Sequence, residues 1–100
     1  MTQNLTAEQS LLRADQALLE NLARAVRSRA TAAADVAQGG LHLAQSAQRV
    51  AEYGFKADAL VEVVRSSGAG ARHQAAFEAA WAGDEDKVFD LFWELRDARA

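Results

Sequence analysis

The feature that most constrains this chain is residues 7–38, an unbroken helix-forming stretch opened by Thr6-Ala7-Glu8-Gln9 and closed by Gly39-Gly40. Thr6 and Gln9 stand at capping-box spacing, in which the Gln9 N–H donates to the threonine hydroxyl while the glutamine side chain accepts from the Thr6 N–H. Glycine at the far end is the usual stop. In between, Leu11, Leu12, Leu18, Leu19, Leu22, Ala25 and Val26 recur three, four and seven residues apart. That is a broad apolar stripe for a bundle core, not the narrow seam of a coiled coil. A helix this long in a chain of 100 residues sets the scaffold on which the remainder must pack.

The remainder is also helical in character. There is no proline, the glycines act as punctuation, and alanine, leucine, glutamate and arginine dominate. The punctuation predicts a second helix over 41–53, with Leu41, Ala44, Ala47 or Gln48, and Ala51 inward, ended by Gly54. A third follows over 57–66, burying Ala57, Leu60, Val61 and Val64. After a Ser67-Gly68-Ala69-Gly70 loop, a fourth over 71–82 sets His73, Phe77 and Trp81 in line, with Ala76 and Ala80 beside them. Gly83 ends it and Asp84 caps the last helix. The expectation is an all-α, compact bundle of about five helices, one domain over residues 1–100, with the long N-terminal helix as its spine. Half of the residues are hydrophobic, but many are alanine, so stability rests on few large side chains. The ankyrin-like fragments around Leu41-His42-Leu43-Ala44 and residues 79–84 do not recur at one period, which excludes that repeat.

Charge divides the chain. Residues 1–50 hold five arginines and four acids, a balance of +1, whereas residues 51–100 hold six basic residues and ten acids, a balance of −4. The C-terminal half should repel a phosphate backbone and attract basic surfaces. The absence of cysteine permits a reducing compartment. Met1-Thr2-Gln3-Asn4 lacks a signal-peptide pattern and no apolar run reaches spanning length, so the expected location is cytoplasmic, with no membrane.

Catalytic chemistry finds little purchase. His42 and His73 fall on different predicted helices without the partner spacing of a metal site. Ser28, Ser46, Ser66 and Ser67 lie in no strand-to-helix elbow, and Glu52, Asp58, Glu62 and Glu78 form no evident pair with split proton affinities. Gly68-Ala69-Gly70 with Arg72 is a weak match to an anion loop, because such loops usually follow a strand. No enzyme, metal or cofactor is expected.

Two nucleic-acid readings have partial support. Residues 49–61 resemble the core of a helix-turn-helix. However, Ala51 and Gly54 are one residue too close, and the would-be recognition helix shows Asp58 and Glu62, with only Lys56 and Arg65 as local bases. Arg24, Arg27 and Arg29 make a small basic cluster that a solvated helix face explains as well. Direct nucleic-acid binding is not favoured; a helix-turn-helix-like accessory protein is the alternative, and an adaptor or homodimer through Leu11, Leu18 and Leu22 a further one.

The last helix is the most suggestive surface. Val88, Leu91, Phe92 and Leu95 share one apolar sector, while Phe89 and Trp93 fall roughly 100–140° from Val88 on the helical wheel, among acids. Either a neighbouring helix buries this second aromatic edge, or it is a hot spot in an acidic rim. The candidate partner-binding residues are Asp84, Glu85, Asp86, Phe89, Asp90, Trp93, Glu94 and Asp97. The expected partner is a larger protein or nucleoprotein complex with a basic surface, met by a monomer or homodimer.

In size, acidity and lack of catalytic apparatus, the whole chain resembles the small all-helical inhibitors of phages and mobile elements, such as anti-CRISPR proteins. That resemblance implies steric or phosphate-mimicking obstruction of a CRISPR effector, with Asp84, Glu85, Asp86, Asp90, Glu94 and Asp97 as the charges concerned.

Overall fold

Thr6 opens the first helix as its spacing predicts: the Gln9 N–H donates to Thr6 Oγ1 and the Thr6 N–H to Gln9 Oε1, both at 3.1 Å. In this computed structural model, residues 6–39 and 42–99 are described, the side chains of Ala98 and Arg99 excepted. Helix α1 (Ala7–Gln38) runs 32 residues to Gly39, whose left-handed backbone lets its N–H return to the Asp35 and Val36 carbonyls. Then follow α2 (Leu43–Ser67), α3 (Ala69–Arg72), α4 (Gln74–Trp81) and α5 (Glu85–Arg99). The described residues form an all-α bundle of five helices with a long N-terminal helix.

Helix α1 is the spine, lying alongside each of the other four, whereas the backbone of α2 does not approach that of α4 or α5 and meets them only through side chains of the common core. Asp35 meets Ser46 and Arg29 lies against Gly54, so α2 runs antiparallel to α1. Arg24 meets Glu85 and Gln16 meets Arg96, so α5 is antiparallel to α1 as well, on another flank. Leu12, Leu19, Leu22 and Val26 of α1, Val61 and Val64 of α2, Ala76 and Ala80 of α4, and Val88 and Phe92 of α5 form one buried cluster. We call this end the head. Beyond Val26, residues 27–38 and 43–56 continue as a two-helix arm in which Ala32 and Ser46 are the only buried side chains among the described residues. The arm explains a radius of gyration of 16.0 Å, against about 13 Å for an ordinary domain of this length.

Two helix boundaries differ from expectation, and both differences have a tertiary cause. Residues 41–53 and 57–66 do not form separate helices; Gly54 sits inside continuous α2. A glycine costs a helix interior only about 1 kcal/mol, and the faces on either side of it pack on α1. The helix-turn-helix expectation over residues 49–65 is corrected accordingly, because no turn separates the two supposed helices. The inward face also differs: Ser46, Val50, Tyr53 and Ala57 turn toward α1, while Ala44, Ala47, Gln48 and Ala51 are exposed. Leu41 lies outside the described residues.

The second difference is a break at His73, whose φ of −133° and ψ of 66° end α3 and start α4. Consecutive side chains in a helix diverge by about 100°, so Arg72 and His73 cannot both reach one carboxylate from inside a helix. With the break, both reach Asp15. The tight entry to α3 needs glycine at position 68: its φ is +81°, and a Cβ there would lie 2.8 Å from Arg72 Nη1.

Candidate functional site

Two groups of residues stand out, one buried behind α5 and one exposed on it. The buried group begins with Asp15, 1% exposed in the middle of the α1 stripe. Arg72 clamps its carboxylate through Nε and Nη2, both at 2.9 Å, and His73 Nε2 lies 3.2 Å from Oδ2. The two guanidinium hydrogen bonds, more than simple charge attraction, hold the Asp15 carboxyl below its ordinary range against the opposing effect of burial. Reciprocally, Asp15 raises the Arg72 pKa. The His73 ring packs on Phe92 with centroids 4.7 Å apart. Next to this cluster Gln16, also buried, accepts from Arg96 and donates to Glu20.

Chemically this arrangement is a fastener. The carboxylate already receives two guanidinium N–H groups, which fixes the α3–α4 corner against α1, with the His73 ring held against Phe92 of α5. Among the described residues, every buried side-chain nitrogen or oxygen has a partner. Neither Asp15 nor Gln16 was among the sequence candidates, although a signal existed: both lie within the apolar sector of α1, three and four residues from Leu12 and again from Leu19. An acid in the centre of an apolar stripe requires a cation or hydrogen-bond donors brought to it.

The exposed group is on α5. Val88 and Phe92 are fully buried and Leu91 and Leu95 pack against the core, as their shared sector predicts. Phe89 and Trp93, one turn apart, face outward at 47% and 58% exposure and stack on each other, with ring centroids 6.2 Å apart and planes 16° from parallel. Among the described residues, no neighbouring helix covers this second edge. Asp86, Asp90, Glu94 and Asp97 are exposed on the same outward arc. Asp84, Asp86, Lys87, Asp90, Leu91 and Glu94 line a depression of about 480 Å³ along the same helix.

The eight sequence candidates do not all share that arc. Asp84 is occupied as the helix cap, its Oδ1 accepting from the Lys87 N–H at 3.1 Å. Glu85 turns back to α1 and pairs with Arg24 at 2.6 Å, so it serves the head. Asp86, Phe89, Asp90, Trp93, Glu94 and Asp97 remain together on the open face. Trp81, expected in line with His73 and Phe77, is itself 51% exposed at the end of α4. The N-terminal arginines do not form one patch: Arg24 pairs with Glu85, Arg29 crosses Gly54, and Arg27 borders a groove in the arm. Self-association through Leu11, Leu18 and Leu22 lacks a continuous surface, because Leu22 is fully buried within its own chain.

Other features bound what the molecule offers. No helix among the described residues is long and apolar enough to cross a membrane. No group of three or more histidine, aspartate or glutamate side chains among the described residues converges as metal ligands. Comparisons with known protein families, curated proteins and solved structures find no match, so the candidate site rests on its own geometry.

Proposed function

We propose that the protein is a non-enzymatic interaction module that docks the outward face of α5 on a basic surface of a larger protein or nucleoprotein complex and obstructs it. The observation that carries this reading is the Phe89–Trp93 pair, stacked yet half open to water amid Asp86, Asp90, Glu94 and Asp97. A chain with so few large side chains would gain stability by burying two aromatics, and this fold leaves both out. Large aromatics inside a charged rim are the usual composition of a binding hot spot, where the rings supply affinity and the acids supply steering and specificity. A basic nucleic-acid channel of the kind blocked by anti-CRISPR inhibitors is one such target, and its natural ligand carries the same sign of charge as this face.

Capture from host lysate tests the reading, comparing the wild type with Asp86→Lys/Asp90→Lys and with Phe89→Ala/Trp93→Ala. Both double substitutions change exposed residues and should leave the helical circular dichroism intact. The expected outcome is a specific, salt-sensitive partner retained by wild type and lost by each variant. Equal recovery by the charge-reversed variant would remove the α5 face from consideration.

A further inference from the structure

The seam between α1 and α2 changes character along its length. In the head it is apolar, Leu19 and Leu22 with Val61 and Val64 belonging to the common core. In the arm it becomes polar and open, around a groove of about 630 Å³ whose walls include Arg27, Thr31 and Asp35 from α1, His42 at the entry to α2, and Arg49 and Tyr53 from α2. Among the described residues no third helix packs along the arm, so its seam is where apolar residues would stabilise it most. Polar residues placed there break a local rule, which is more often done for function than for folding.

The charges in the groove are not balanced internally. Its one acid, Asp35, already accepts from the buried Ser46 hydroxyl. Its arginines are unused: among the described residues, neither the Arg27 nor the Arg49 side chain makes a hydrogen bond or ion pair. Arg27 is braced from behind by the turn between α4 and α5. At Gly83, with φ of +76°, an added Cβ would stand 3.4 Å from the Arg27 N, Cα and Cβ atoms. The base of this side chain is therefore fixed while its guanidinium end stays in solvent.

We propose that this groove is an anion site that takes a phosphate group carried by a small molecule, with Arg27 and Arg49 as the cationic clamp. Guanidinium groups suit this because their forked N–H donors match phosphate oxygens, and Thr31 and His42 add donors at the walls. A bounded ligand fits better than a long polyanion. The volume falls within the roughly 300–1,000 Å³ of small-molecule sites, whereas backbone binding needs many cations in succession and the acidic C-terminal half opposes it. The residues are distinct from those of the α5 face, so either proposal can fail without the other.

Titration of the full chain with inorganic phosphate and, separately, with adenosine monophosphate, followed by amide chemical shifts, tests the assignment. Saturable shifts are expected along residues 27–35 and 45–53, with affinity reduced tenfold or more in Arg27→Gln and in Arg49→Gln and unchanged in Arg65→Gln, an exposed arginine elsewhere on α2. Tighter binding of the nucleotide would identify an organic phosphate as the natural class, and equal binding a free phosphate; both outcomes support the site. Absence of saturation with both probes, wild-type affinity in both groove variants, or the same weakening in Arg65→Gln would overturn it.

Discussion

The head and the arm are built from the same two helices, and they are held in different ways. In the head, α1 and α2 share their seam with α4 and α5, and fifteen buried apolar side chains form one cluster. In the arm the same helices meet over Ala32 and Ser46, with Asp35 as the polar link. The contrast shows that the length of a helix and its stability are separate properties. Capping and propensity carry α1 through to Gln38, but only its first part is locked by burial. Both candidate binding features respect this division: the aromatic face projects from the rigid head, and the phosphate groove lies along the loosely packed seam.

Four substitutions test whether head and arm are held independently, and Phe92 in the head should matter most. Phe92→Ala empties the centre of the head and should cost about 3–5 kcal/mol, a large share of a small domain's stability. Urea denaturation would measure it, and a loss below about 1 kcal/mol would mean that the head is not the stabilising centre.

Asp15→Asn keeps the shape of the buried acceptor but removes its charge, and should cost about 2 kcal/mol, less than for a wholly buried pair because Arg72 can rehydrate. Its pH signature has a definite sign. The Asp15 pKa is depressed in the folded state, so its contribution is complete above the unfolded carboxylate value of about 4 and is lost as pH falls through the lower folded value. Acid titration of stability should therefore be steeper in wild type than in Asp15→Asn. Equal slopes would show that the Arg72 clamp does not govern acid stability.

Ser46→Ala should act on the arm alone. It removes one hydrogen bond, at about 1 kcal/mol or less, and should speed amide exchange in residues 31–38 and 43–50 while protection around Val64 and Phe92 stays the same. Uniform acceleration would mean that the arm and head open together. The smallest expected effect has the opposite sign. Gly54 is helical, and an added Cβ would meet Arg29 Cδ at an ordinary 3.7 Å, so Gly54→Ala should stabilise by about 0.5–1 kcal/mol. A destabilised variant would show that this glycine is kept for close approach between the two helices of the arm.

What the sequence by itself determined are the features written within a turn or two of chain. The Thr6–Gln9 box and Gly39 bound α1; the apolar spacing of Leu12, Leu19, Leu22 and Val26, of Val61 and Val64, and of Val88 and Phe92 selects the core faces; and the α5 wheel separates Phe89 and Trp93 from that core. Each depends on neighbours three or four residues away, so local geometry suffices. Tertiary structure alone decided whether any helix would cover that aromatic edge, that Glu85 would turn back to Arg24, and that α2 would continue through Gly54. It also decided the fate of Asp15, whose cation lies 57 residues along the chain. A buried charge announces that it needs a partner, but which partner depends on where distant helices come to rest, and that is set by the packing of the whole bundle.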